Sequence, residues 1–272
     1  MKPKGERPLS PPAATATGLT VLQQDALKHL LAGGLGVLVA SSMLVGQGFF
    51  ELGHTIKAMV LFGVGAGLIW HSLAPSSGNG VAHPHARLGP ANRVTLLRLA
   101  LVALIAGMIG EPVPAAPLAS APGLAWAVVV LATLTALLDA VDGHLARRSG
   151  LASAFGARFD METDAFFILV LCALVVQVGQ AGPWILASGL MRYAFVGAAC
   201  LWPWLSAPLQ PSKRRQTVCV VQITTLIVCM GPVIPPALAA GLAALSLALL
   251  TASFAIDVRT LSRRITPRRP EP

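Results

Sequence analysis

The stretch that decides the fold is Gly123-Leu124-Ala125-Trp126-Ala127-Val128-Val129-Val130-Leu131-Ala132-Thr133-Leu134-Thr135-Ala136-Leu137-Leu138, which runs without a break into Asp139-Ala140-Val141-Asp142-Gly143. An uncharged run followed at once by paired carboxylates reads as a helix that crosses a bilayer and ends in chemistry. A crossing helix needs about 20 mostly apolar residues. Similar runs recur at roughly 29–50, 56–73, 94–110, 123–138, 163–179, 183–203, 217–231 and 236–256. The whole chain fits this pattern: of 272 residues, 55% are hydrophobic and 11% charged, and the mean hydropathy is +0.71. A soluble domain carries about 25% charged residues. A soluble enzyme, a disordered scaffold and a secreted disulfide module are thereby excluded. The expected fold is all-α, a polytopic membrane protein of about eight transmembrane helices. Eight spans of about 20 residues leave no room for a separate soluble domain.

The gaps carry helix breakers (Pro75 and Gly78, Pro112 and Pro114, Gly182-Pro183, Pro208 and Pro211, Pro235-Pro236) or charge clusters. Basic residues fall in alternate gaps: Lys2, Lys4, Arg7 and Lys28, then Arg87 and Arg93, Arg147, Arg148 and Arg158, Lys213 to Arg215, and Arg259 to Arg269. Cytoplasmic loops hold the excess of Lys and Arg, so both termini are expected in the cytoplasm. The formal net charge of +9 could suggest nucleic acid. These residues border the spans, however, and no aromatic side chains are interleaved among them, so orientation and anionic head groups account for them and nucleic acid is rejected. The cysteines, Cys172, Cys200, Cys219 and Cys229, form no C-x-x-C pair and read as small packing residues. Residues 1–28 lack the short apolar core of a signal peptide and are expected to form a disordered cytoplasmic tail. Residues 257–272 are expected to form a basic cytoplasmic tail.

Five of the eleven acidic residues lie between positions 139 and 164. Asp139 and Asp142 are three apart at the end of the fourth span, and Asp160 and Asp164 are four apart where the fifth begins. Each spacing puts its pair on one helix face. With a loop of about twenty residues joining the two helices as antiparallel neighbours, the four carboxylates are expected to meet in one cleft at the cytoplasmic interface. Ionisable groups at such a boundary are costly unless paired, and Arg147, Arg148 and Arg158 are the positive side chains nearby in sequence. Hard oxygen ligands at this density suit Mg²⁺ or Mn²⁺, and two such ions would balance four carboxylates. A pair of divalent ions is a usual clamp for in-line displacement at phosphorus. Gly143 lets a ligand approach the backbone, and Arg147 can bridge a phosphate with both arms of its guanidinium.

The string Asp139-x2-Asp142-Gly143-x2-Ala146-Arg147-x8-Gly156-x3-Asp160-x3-Asp164 resembles, position for position, the signature of the CDP-alcohol phosphatidyltransferases. The resemblance implies a six-helix core over residues 92–256, joined by a linker at 74–91 to two extra helices at 29–73. It implies that a CDP-alcohol, usually CDP-diacylglycerol, is attacked by an alcohol hydroxyl, with release of CMP, in phospholipid biosynthesis. It also implies that Asp139, Asp142 and Asp160 hold two metal ions, and that Asp164 ligates, acts as the base for the acceptor, or does both. Gly143, Ala146, Arg147 and Gly156 would line the nucleotide and diphosphate pocket. A homodimer in the bacterial inner membrane, in contact with membrane lipids and with the site facing the cytoplasm, completes what the resemblance implies.

Outside this string, Asn92, Thr95 and Arg98 recur every three residues and form a polar stripe on an apolar helix. The family resembles this stripe too, which implies that Asn92, Thr95 and Arg98 contribute to the donor site; a helix cap for Asn92 and a snorkelling anchor for Arg98 are the plain alternatives. Arg192, in the sixth span, is expected to meet the acceptor's phosphate or hydroxyls, or else one of the aspartates. Arg158 and Lys213 are further candidates for a small or phosphorylated alcohol acceptor. Gly63, Gly65 and Gly67 read as helix-packing positions. A cation transporter or binding protein built on the same aspartates is the alternative from another class. Transporter sites lie near the midplane at broken helices, whereas these aspartates sit at span ends.

Overall fold

The computed structural model describes residues 20–73, 87–111, 122–149, 153–207 and 212–263. Among these residues it is all-helical, with eight α-helices and no strand. They are α1 (Val21–Gly46), α2 (Leu52–Ser72), α3 (Pro90–Ala106), α4 (Pro122–Ser149), α5 (Ala154–Gln177), α6 (Leu186–Leu201), α7 (Lys213–Cys229) and α8 (Pro236–Arg263). Five of them (α1, α2, most of α4, α6 with the short turn before it, and α8) are long and apolar enough to cross a membrane. The other three are shorter or carry more charge. Each of the eight apolar runs in the sequence has become a helix.

Local chemistry sets the helix boundaries. Thr20 caps α1 with a capping box: its hydroxyl accepts from Gln23 N–H at 3.2 Å, and the Gln23 amide oxygen accepts from Thr20 N–H at 2.9 Å. Helix therefore begins at Val21, inside the stretch expected to be a tail. The basic end after position 256 is likewise helical as far as Arg263. Pro90 opens α3 at the position where its missing N–H costs nothing. α5 closes on Gly179 at φ +73°. Gly179 N–H bonds to Val176 O at 3.0 Å and Gln180 N–H to Val175 O at 3.1 Å, the pattern that satisfies the last carbonyls of a helix.

Two hydrophobic clusters share α3. One face (Leu96, Leu99, Ala100, Ala103) packs with Ala26, Leu30 and Val37 of α1 and Ala58, Phe62 and Ile69 of α2. The other (Val102, Ile105, Ala106) joins Phe167 and Leu171 of α5, Leu226 of α7 and Ala239 of α8. Of the three helix-packing glycines expected on α2, Gly65 bears this out: a Cβ there would lie 2.8 Å from a Leu99 methyl, while Gly63 and Gly67 face open space.

The region around the aspartates differs from expectation in two ways. α4 continues to Ser149 and α5 starts at Ala154, so a connection of a few residues replaces the expected loop of about twenty. The two helices are also not packed side by side. α3 and α7 each pack against both of them, and the carboxylates of α4 and α5 face one another with a side chain of α3 between them. Pairing by sequence order had missed the helix in between.

Candidate active site

That side chain is Arg98, which has no solvent exposure. Its Nη1 lies 2.9 Å from Asp139 Oδ1, 3.0 Å from Asp142 Oδ2 and 2.6 Å from Asp160 Oδ1. Its Nη2 donates to Asp164 Oδ1. One guanidinium thus holds all four carboxylates, and the pairs expected on two helix faces do converge. Of the expected countercharges, the Arg147 side chain lies outside the described residues and the other two are not the ones seen here. Arg148 and Arg158 are exposed, and the ion comes from the polar stripe of α3. A snorkelling role for Arg98 is ruled out by its burial. Its Nε, also buried, has no partner.

The other members of the stripe point the same way. Thr95 Oγ1 lies 3.1 Å from Asp142 Oδ2 and 3.1 Å from its own helix carbonyl at Ala91. Asn92 is buried against the start of α5, where a Cβ added to Gly156 would come within 2.6 Å of Asn92 Oδ1. Gly156 N–H is held by the Ser153 hydroxyl at 3.0 Å, which caps α5. A side chain at Gly156 would therefore force the Asn92 amide out of its present position. A helix cap on α3 is not the role of Asn92, since Gly89 occupies that position.

Asp139, Asp142 and Asp160 each offer a carboxylate oxygen, and these oxygens lie within 4.8 Å of one another. Asp164 stands beside this trio, with its second oxygen 3.9 Å from Cys219 Sγ of α7. That cysteine, expected only to pack, thus borders the cleft. Asp142 is nearly fully buried, whereas Asp139 and Asp160 are half-exposed, so the cleft has a closed wall and an open one. Asp160 lies ahead of the apolar part of α5. Burial, and then the charges of Asp142 and Asp139, push its carboxyl up to about 6 against the pull of Arg98.

The remaining candidates are more dispersed. Gly143 is half-buried, next to Asp142. Ala146 and Arg147 are on α4, and their side chains lie outside the described residues. Arg158 and Lys213 are exposed at the starts of α5 and α7. Arg192 does not reach any of the four aspartates. It pairs with Glu162, whose position between Asp160 and Asp164 puts it on the opposite side of α5. Glu162 was overlooked because its neighbours account for the motif. The basic run at α7 is also partly committed: Arg214 Nη1 donates to Ser253 O and Ser253 Oγ, each at 2.6 Å, and both Arg214 and Arg215 pair with Asp257 of α8. His54 is fully buried, with Nε2 3.0 Å from Leu104 O and its ring stacked on Phe50.

A cleft with hard oxygen donors on a helical scaffold can concentrate divalent cations beside the apolar surface where a lipid headgroup would lie. Comparison with known proteins finds no match among curated proteins and none among solved structures. The family model for CDP-alcohol phosphatidyltransferase matches residues 89–255, the stretch that runs from the start of α3 into α8 and contains every residue of the cleft. The apolar helices and this match together make the protein an integral membrane transferase, and the chain belongs to the CDP-alcohol phosphatidyltransferase family.

Proposed function

We propose that the protein transfers the phosphatidyl group of CDP-diacylglycerol to an alcohol acceptor, with release of CMP, as a metal-dependent step of phospholipid synthesis. The observation that supports this most is the convergence of Asp139, Asp142 and Asp160 oxygens within 4.8 Å in a member of this family. Oxygen-only donors at that spacing fit Mg²⁺ or Mn²⁺. Bound there, such ions would neutralise charge on the donor's diphosphate and on the departing CMP.

The chain's own groups divide the remaining work. Asp139, Asp142 and Asp160 would hold the ions, and the Thr95 hydroxyl orients Asp142. Asn92, Gly143, Ala146, Arg147 and Gly156 form the donor pocket. The contact of Asn92 with Gly156 supports this, since it closes the wall of the cleft next to Asp160. We assign Asp164 as the base, because it stands outside the trio and binds the other arm of Arg98. The acceptor oxygen bonds to the phosphorus that carries the diacylglycerol, and the bond from that phosphorus to the CMP oxygen breaks. The hydroxyl proton passes to Asp164 and the bonding electrons leave with CMP. Arg158, Arg192 and Lys213 are the cations offered to the acceptor; for Arg192 this requires release from Glu162. The alternating Lys and Arg support eight crossings, with the termini and the cleft on the cytoplasmic side.

The test is to incubate purified protein with labelled CDP-diacylglycerol, Mg²⁺ or Mn²⁺, and a panel of acceptors: glycerol 3-phosphate, an inositol phosphate, serine and phosphatidylglycerol. Release of CMP with one acceptor, abolished in Asp160→Asn, is the expected result. Absence of CMP release with every acceptor, together with cation flux in liposomes, would replace the enzyme by the transporter.

A further inference from the structure

The Arg98 guanidinium binds the same three residues whose oxygens form the candidate cage, at 2.6 to 3.0 Å, and reaches the fourth aspartate with its other arm. A divalent ion held by those three carboxylates would compete with Arg98 for the oxygens that it now binds. The ion and the guanidinium would also repel at a separation of a few ångströms in a buried setting, where little water screens them. Charge balance points the same way. Four carboxylates and one arginine leave three negative charges, but four carboxylates and two divalent ions leave none, so Arg98 is then surplus. Arg98 Nε is buried without a partner. A buried donor left unsatisfied costs about 1–3 kcal/mol, which marks this arrangement as a compromise.

We propose, resting on the metal-dependent reading above, that Arg98 is an exchangeable internal cation. It holds the four carboxylates of α4 and α5 together before the ions arrive, and it gives up their oxygens as the ions enter. The arginine thus keeps the cleft assembled at low metal concentration and sets a threshold for loading, because each entering ion has to displace it.

The direct test is Mn²⁺ binding, followed by the electron paramagnetic resonance signal of free Mn²⁺, in detergent-solubilised wild type, Arg98→Gln, Arg98→Lys and Asp160→Asn. Arg98→Gln is expected to bind Mn²⁺ about tenfold more tightly than wild type. It should also have a lower melting temperature before Mn²⁺ is added and a larger rise on addition. Arg98→Lys keeps a charge, so it folds even if the glutamine variant does not. Its ammonium cannot span both arms' worth of carboxylates, and its Mn²⁺ affinity is expected a few-fold above wild type. Affinity that is unchanged or weaker in both arginine variants, while Asp160→Asn loses binding, would overturn the exchange and leave the metal site standing. No Mn²⁺ binding by any of the four proteins would overturn both.

Discussion

Two charge clusters lie along α3, one at its middle and one past its C-terminal end, and they are built to opposite rules. At the middle, one buried arginine faces four carboxylates and still has an unpaired Nε. Beyond Ala106, Lys57 of α2 meets Glu111 at 2.6 Å and donates to Ile109 O at 2.6 Å, while Glu111 accepts from Glu51 N–H at 3.3 Å. Gln177 of α5 closes that end by bonding to Met108 O, Glu111 O and Gly110 N–H. This second cluster is one cation to one anion, with the spare donors and acceptors matched, and it ties α2, α3 and α5 together. A balanced cluster is a fastening. An unbalanced one, kept at the cost of burying excess negative charge, is a site that expects further cations.

The comparison is broken most sharply by Asp160→Asn. Loss of one ligand from the unbalanced cluster is expected to lower CMP release by about 10³-fold without lowering the melting temperature, since removal of a surplus negative charge does not unfasten the bundle. A comparable loss of stability would show that both clusters are structural. The next largest effect is at the balanced end. Lys57→Met leaves Glu111 buried without its partner and should destabilise the protein by about 2 kcal/mol, read as a lower melting temperature in detergent. Transfer by the folded fraction should persist, and Lys57→Met combined with Glu111→Gln should recover most of the loss.

Gly156→Ala sharpens the functional side. The added methyl meets Asn92 Oδ1, and the expected outcome is a KM for CDP-diacylglycerol raised about tenfold, near 1.4 kcal/mol, with the acceptor KM unchanged. An equal rise in both would separate Asn92 from the donor. The smallest effect belongs to the Asp257 cluster, a second fastening. Arg214→Ala should cost about 1 kcal/mol of stability, because Arg215 still holds Asp257, and it should leave transfer rates alone.

The helices were legible because apolar runs and prolines report on them locally, and each of the eight runs became one. The four aspartates were legible for the same reason: spacings of three and four place each pair on a face whatever the tertiary structure. Arg98 was visible as part of the stripe with Asn92 and Thr95, but its partners were not, because they lie 41 to 66 positions away along the chain. Nothing in the string from Asp139 to Asp164 says that α3 stands between the helices that bear it. Glu162 and the Lys57–Glu111 fastening were hidden in the same way, since each is a single charge that acquires meaning only from a helix elsewhere in the chain.

The helix lengths have one more consequence. At 1.5 Å per residue, Arg98 is about 12 Å along α3 from Pro90, Asp139 about 15 Å back from the end of α4, and Asp160 about 9 Å along α5 from Ala154. On all three helices the charged groups thus lie roughly 10 Å or more in from the helix end. Any charged ligand of the four carboxylates therefore has to reach past about two turns of helix before it meets them.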